Sequence, residues 1–291
     1  MTTQDKFRGV GVALITPFKE DGSVDYNGLK RLLDHCFSGS VDYLLINGTT
    51  SEASTIEPEE KLEILSFIVK NNTKKLPIMY GIGANNTNHV LQLIDKTPFE
   101  YIDAVLTVTP YYNKPSQEGL FQHYTQVADK SPVPVLLYNV PGRTGVNLNS
   151  ETTIRLSKHT NIFGIKEASG NIEQALSIVK GAQKGFMLIS GDDMLTVPLI
   201  SIGAQGVISV LANAYPEKFS DLIHNALNGS FVQATNSLVD FIAINGLLYA
   251  ESNPVGIKEV LKYKGVCGNQ CRLPLIPASK GLSKSIQEAM I

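Results

Sequence analysis

Eight short apolar runs, separated by stretches of helical periodicity, constrain this 291-residue chain more than any other feature. They are GVALIT (11–16), DYLLIN (42–47), LPIMYG (76–81), AVLTVT (104–109), VPVLLYN (133–139), IFGIK (162–166), FMLIS (186–190) and GVISV (206–210). The runs are continuously apolar instead of alternating, as expected of strands covered on both faces in a parallel sheet. The segments between them carry helix signals. DYNGLKRLLDHCF puts Leu29, Leu32, Leu33 and Phe37 on one side, and EPEEKLEILSFIVK opens with Pro58 and acids before Leu62, Leu65, Ile68 and Val69. PSQEGLFQHYTQVADK and NSETTIRLSKH start with Ser or Asn in capping positions. This alternation predicts an α/β fold, a (β/α)8 TIM barrel. An open doubly wound sheet needs a glycine-rich phosphate turn after its first strand, and LITPFKEDGS lacks one. Residues 1–228 are read as the catalytic barrel and 229–291 as a C-terminal helical extension.

Composition narrows the function. Lys and Arg total 25 against 27 Asp and Glu, a net of −2, which gives no footprint for nucleic acid or an anionic membrane. The three cysteines, Cys36, Cys267 and Cys271, are an odd count that does not suggest a disulfide framework in a chain of this size. Cys267 and Cys271 also lack the His or second Cys pair of a zinc site. Met194 to Pro216 carries no formal charge, but Pro198 and GAQG interrupt it, so a buried helix and strand are expected there and not a membrane span. MTTQDKFRGV has no signal-peptide character. The expected location is the cytoplasm.

Active sites of such barrels lie where strands end. Five strand ends in this sequence are rich in polar groups: NGTTSEAST, TPYYNKPS, YNVPGRTG, KEASGN and SGDD. Lys166 stands at the end of an apolar run, where desolvation disfavours the ammonium form. A neutral amine attacks ketones, and loss of water gives an iminium that withdraws electrons from the adjacent carbon. The plainer role is a strand-end lysine paired with Glu167. Tyr138, at the matching point of the preceding strand, makes the chemical role the better one, because a phenol both donates and accepts protons. Arg143, in a Pro/Gly turn, offers a fork suited to a carboxylate, or else a surface ion pair. GTT supplies hydroxyls and backbone N–H groups for a small carboxylate, or a helix cap. The two tyrosines of TPYYN fit an interface as well as a site. The five histidines (His35, His89, His123, His159 and His224) are read as surface or helix residues.

GTTSE, VTPYYNKPSQEGL, LYNVPGRTG, GIKEASGN, SGDD and GVISV, in this order, resemble the dihydrodipicolinate synthases of the pyruvate-dependent class I aldolase superfamily. The likeness runs from GVGVALITPF to NPVGIKEVL and RLPL. It implies condensation of pyruvate with L-aspartate 4-semialdehyde to give 4-hydroxy-tetrahydrodipicolinate, the committed step toward diaminopimelate and lysine. Lys166 is implied as the Schiff-base residue and Thr50 as the holder of the pyruvate carboxylate. Thr49, Tyr138 and Tyr112 are implied as a proton relay, with Tyr112 entering from a neighbouring subunit. Arg143 is implied as the anchor of the aldehyde substrate's carboxylate, and Gly191 and Ile208 as main-chain carbonyls near the lysine. No metal or organic cofactor is expected. A homo-oligomer is expected, a homotetramer built as a dimer of dimers. N-acetylneuraminate lyase and keto-deoxy-sugar-acid aldolases share the scaffold, and Arg143 argues against them. A non-catalytic pyruvate-binding barrel is the remaining alternative.

Two departures from the family pattern carry expectations. Ser51 stands where the family usually has glycine, so the loop is shifted if that backbone freedom is needed. In the family's lysine-effector region, Asn85 and Tyr111 are present. His89 replaces a common carboxylate, and Pro58 and Lys61 occupy places near which histidines occur in lysine-sensitive members. Weak or absent inhibition by lysine is the expectation.

Overall fold

The computed structural model describes residues 2–290. Eight parallel strands close into a barrel in chain order. They are β1 (Gly9–Ala13), β2 (Tyr43–Ile46), β3 (Ile78–Gly81), β4 (Ala104–Val108), β5 (Val135–Asn139), β6 (Ile162–Glu167), β7 (Met187–Ser190) and β8 (Gly206–Ser209). Each apolar run of the sequence seats one of them. The first strand starts and ends earlier than its run, because Leu14 and Ile15 continue the buried stretch beyond the ladder, toward Pro17.

The helices are α1 (Thr3–Lys6), α2 (Tyr26–Phe37), α3 (Pro58–Asn71), α4 (Thr87–Lys96), α5 (Gln117–Lys130), α6 (Pro141–Thr144) and α7 (Ser150–Leu156). They continue as α8 (Ile172–Gly181), α9 (Thr196–Ser201), α10 (Pro216–Leu227), α11 (Phe231–Val239), α12 (Ile242–Tyr249), α13 (Val255–Tyr263) and α14 (Lys280–Ala289). Several begin on the side-chain caps visible in the sequence. Asp25, Asn86, Ser116, Asn149 and Asn171 each accept a hydrogen bond from a backbone N–H in the first turn of the helix they precede. These caps stop each strand-to-helix connection at a defined residue, which places the strand-end side chains. Among the described residues no single helix is long and apolar enough to cross a membrane. The uncharged stretch from Met194 instead forms α9 and β8, whose apolar residues are buried.

The chain packs as two compact units: the segment up to Gly9 with Pro77–Ile208, and Val10–Leu76 with the residues from Ser209 on. In the first, Val105, Val135, Leu136, Ile165 and Ile189 are fully buried. The core of the second includes Val12, Leu32, Leu44, Phe219 and Phe241, with the Phe219 and Phe241 rings edge to face. Cys36 and Cys267 are buried here and Cys271 is half-buried; all three are free thiols. Burial pushes Cys36 and Cys267 up to about 12 and Cys271 to about 11.

One of the histidines, on a helix as expected, is also buried. His123 is buried on α5, its Nδ1 is 2.9 Å from Thr87 Oγ1, and burial lowers its pKa to about 4. Below the ordinary value of 6.5 the unfolded chain binds a proton that the folded chain refuses, so stability falls as pH drops from 6.5 toward 4 and levels off below. The full loss is about 3 kcal/mol. Urea titrations at pH 7 and pH 4.5 are expected to show that His123→Gln removes part of the acid sensitivity; an unchanged pH slope would count against this.

Candidate active site

The register of β5 against β6 pairs Tyr138 with Lys166, and that of β6 against β7 pairs Lys166 with Ile189. Both side chains are buried, Lys166 with 6% and Tyr138 with 7% of its surface exposed. The lysine Nζ lies 4.3 Å from the centre of the tyrosine ring. An amine is therefore held beside a phenol ring in a buried position, where hydrogen-bonding and charge effects act with little screening by water. Gly191 follows β7, and its N–H donates to the Glu167 carbonyl at 2.8 Å. A Cβ there would stand 3.0 Å from Lys166 Cε and 2.6 Å from the Ala168 Cβ, so only glycine lets the backbone come this close to the lysine. Ile208 is buried in β8.

The rest of KEASGN serves to hold that lysine. Glu167 is buried and meets no cation among the described residues; its carboxylate accepts from Ser169 N (2.6 Å), Gln174 Nε2 (3.0 Å) and Asn139 Nδ2 (3.1 Å). Asn139 also donates to Asn147 Oδ1 (2.8 Å) and accepts from Leu148 N (2.9 Å). These bonds tie the ends of β5 and β6 to the start of α8 and satisfy every donor they use, as a buried carboxylate requires. Gly170 at φ +76 makes the turn that lets Asn171 cap α8. The plainer alternative, a Lys166–Glu167 pair, is not seen among the described residues: Lys166 meets Tyr138, while Glu167 meets amide donors. Neighbouring strand residues point to opposite faces of the sheet, so the two cannot share one environment.

Arg143 lies on α6, the single turn that Pro141 opens directly after β5. Its side chain is exposed, and no ion pair to it is found among the described residues, so the plain surface pair allowed by the sequence is not seen. Tyr111 and Tyr112 leave β4 on a strained loop: Tyr112 has φ +76 and is 85% exposed, and Lys114 has φ +46. No hydrogen bond joins Tyr112 to Tyr138 among the described residues of this chain. Asn113 Nδ2 donates to the Asn85 carbonyl (3.1 Å), bringing that loop to Asn85, and His89 is exposed in the first turn of α4.

In the other unit, Thr49, Thr50 and Ser51 form a 3-10 turn after β2, with Thr49 exposed and Thr50 buried. Ser51 does not occupy a positive-φ position; the left-handed residue is the next one, Glu52, at φ +58. Glycine's freedom is therefore unnecessary at 51. The serine hydroxyl instead donates to the Leu14 carbonyl (2.8 Å) and accepts from Gly48 N (3.1 Å). Asn253 Nδ2 donates to Thr50 Oγ1 at 3.0 Å. The buried Lys258 ammonium reaches Glu52 at 2.5 Å and the Gln270 carbonyl at 2.7 Å, and lies 4.3 Å from the Phe18 ring centre. Arg272 grips Glu60 with both terminal nitrogens, at 2.7 and 2.6 Å, and holds it well ionised. Sequence reasoning assigned no role to Asn139, Glu52, Asn253, Lys258 or Arg272. The last three sit inside NPVGIKEV and RLPL, where a lysine and an arginine beside apolar residues are the only visible hint.

A profile of the dihydrodipicolinate synthetase family matches residues 6–290. The chain belongs to this family. The 4-hydroxy-tetrahydrodipicolinate synthase of Cytophaga hutchinsonii is 53% identical over 285 residues, covering 98% of this chain and 96% of the relative. The dihydrodipicolinate synthase structure from Thermotoga maritima superposes with a TM-score of 0.94 at 36% identity, covering 98% of this chain and 97% of that one. A chloride-inhibited dihydrodipicolinate synthase from Acinetobacter baumannii, solved complexed with pyruvate, gives 0.93 at 36% identity over 97% of both chains.

Proposed function

We propose that the chain condenses pyruvate with L-aspartate 4-semialdehyde through a Schiff base on Lys166, releasing 4-hydroxy-tetrahydrodipicolinate for lysine and diaminopimelate synthesis. The observation that carries this reading is the buried Lys166 amine 4.3 Å from the Tyr138 ring, on adjacent strands of the barrel. The amine adds to the keto carbon of pyruvate, and the carbinol oxygen leaves as water once it is protonated. Tyr138 supplies and recovers that proton. The iminium then loses a proton from the methyl carbon, and the resulting enamine attacks the aldehyde. Attack of the substrate's own amino group on the iminium carbon closes the ring and frees Lys166. Thr50 holds the pyruvate carboxylate, Thr49 and Tyr112 complete the proton relay, and Arg143 takes the carboxylate of the semialdehyde. The main chain at Gly191 and Ile208 lines the site, and no metal or organic cofactor takes part.

The exposed, strained Tyr112 supports its entry into a neighbouring subunit. Ile172, Leu176 and Val179, exposed on one side of α8, supply a second apolar surface for pairing dimers into a homotetramer. The setting is the cytoplasm, and residues 229–291 act as an extension of a barrel that ends near 228.

The test is borohydride reduction with pyruvate, followed by peptide mass spectrometry and product analysis. A three-carbon adduct on Lys166 and turnover with aspartate semialdehyde are expected. Turnover with N-acetylmannosamine or glyceraldehyde instead would assign one of the sugar-acid aldolases, and an adduct without any turnover would make the barrel a binding protein.

Inhibition by lysine is expected to be weak or absent. With His89 in place of a carboxylate, one charge-assisted contact to the effector is missing, a loss of roughly 1.5–3 kcal/mol. Half-inhibition at sub-millimolar lysine in a steady-state assay would contradict this.

A further inference from the structure

The turn bearing Thr50 is tied to the C-terminal segment by two buried contacts, Asn253 to Thr50 and Lys258 to Glu52. The Asn253 side chain is only 5% exposed, and its Oδ1 meets no hydrogen-bond partner, so Thr50 is the one group its amide holds among the described residues. A threonine hydroxyl has one proton to give and lone pairs to receive. With an Asn253 N–H occupying a lone pair at 3.0 Å, the Thr50 proton cannot point at Asn253 and is left to donate elsewhere.

We infer that Asn253 is a positioning residue for the reaction, turning Thr50 into a fixed hydrogen-bond donor toward the carboxylate of the keto acid. This rests on the reading of Thr50 as the carboxylate holder. An acceptor in place of the amide reverses the arrangement: the Thr50 hydroxyl then donates to residue 253, and its proton is lost to the substrate. Holding a rotor in the productive orientation before binding spares the ordering cost at the moment of binding.

The experiment compares Asn253→Asp, Asn253→Leu, Thr50→Val and the Thr50→Val/Asn253→Leu double variant. For each, kcat/KM is measured for pyruvate and for aspartate semialdehyde, with the pyruvate dependence of borohydride trapping and the melting temperature. Asn253→Asp and Asn253→Leu keep the side-chain volume, and the melting temperature separates lost folding from lost positioning.

Asn253→Asp is expected to lower kcat/KM for pyruvate by about 10-fold or more while that for the semialdehyde changes less than about twofold. Asn253→Leu is expected to lower kcat/KM for pyruvate on the wild-type background and to add nothing on the Thr50→Val background. An unchanged kcat/KM for pyruvate in Asn253→Asp would overturn the inference, since Thr50 would then already be donating to position 253. Equal effects of Asn253→Leu on both backgrounds would also overturn it, by showing that Asn253 acts through the fold. If Thr50→Val itself leaves kcat/KM for pyruvate unchanged, the carboxylate role of Thr50 fails first, and this inference with it.

Discussion

Lys166→Ala is expected to lose condensation by roughly ten-thousand-fold or more, together with all borohydride-trappable pyruvate. The size of the effect follows from the covalent step. Without the amine no iminium can form, and the proposed route to withdrawing electrons from the pyruvate methyl carbon is lost. Tyr138 remains, but a phenol moves protons and cannot replace a carbon–nitrogen bond. The fold is expected to survive, because the bonds that hold the end of β6 belong to Glu167 and its partners Asn139, Gln174 and Ser169. Intact-mass measurement after reduction, beside a coupled rate assay and a melting curve, checks all three points. A residual adduct elsewhere on the chain, or a rate within tenfold of wild type, would displace Lys166 from its role.

Arg143→Ala separates the two halves of the reaction. The guanidinium is exposed on α6 with no ion-pair partner among the described residues, so removing it leaves no buried charge uncompensated. Pyruvate capture is expected to continue, with the Lys166 adduct forming at near wild-type pyruvate concentrations. Condensation is expected to fall by about 100-fold, the scale of a paired charge-assisted contact to a carboxylate. The loss should appear mainly in kcat/KM for the semialdehyde. Arg143→Lys should recover little of it, since an ammonium cannot reproduce the planar fork. Unimpaired condensation in Arg143→Ala would mean that another group receives the semialdehyde carboxylate.

Much of this was legible in the sequence. Continuous apolar runs announce strands covered on both faces, and the Asn and Ser residues after them announce helix starts, because both signals are local in the chain. The residues of the expected site were legible for a different reason: polar side chains at the ends of apolar strands need a function or a partner. Their partners were not legible. Nothing in KEASGN says that Glu167 answers to Asn139 and Gln174 and not to the lysine beside it. The concern over Ser51 was likewise a matter of backbone angle, and the left-handed residue proved to be Glu52. His123 gave no sign of burial, since α5 carries polar residues on several sides and only packing decides which face is covered.

The order of strands and helices, the caps that delimit them and the choice of Lys166 as the amine expected to react were legible in the chain alone, since each depends on residues within a few positions of one another. Which groups meet Lys166, which acceptor receives Lys258 and what orients Thr50 were decided only on folding. Some of those contacts join residues more than two hundred positions apart, as Thr50 and Asn253 are, 203 positions from one another. Their energies depend on distances and burial that no linear pattern encodes.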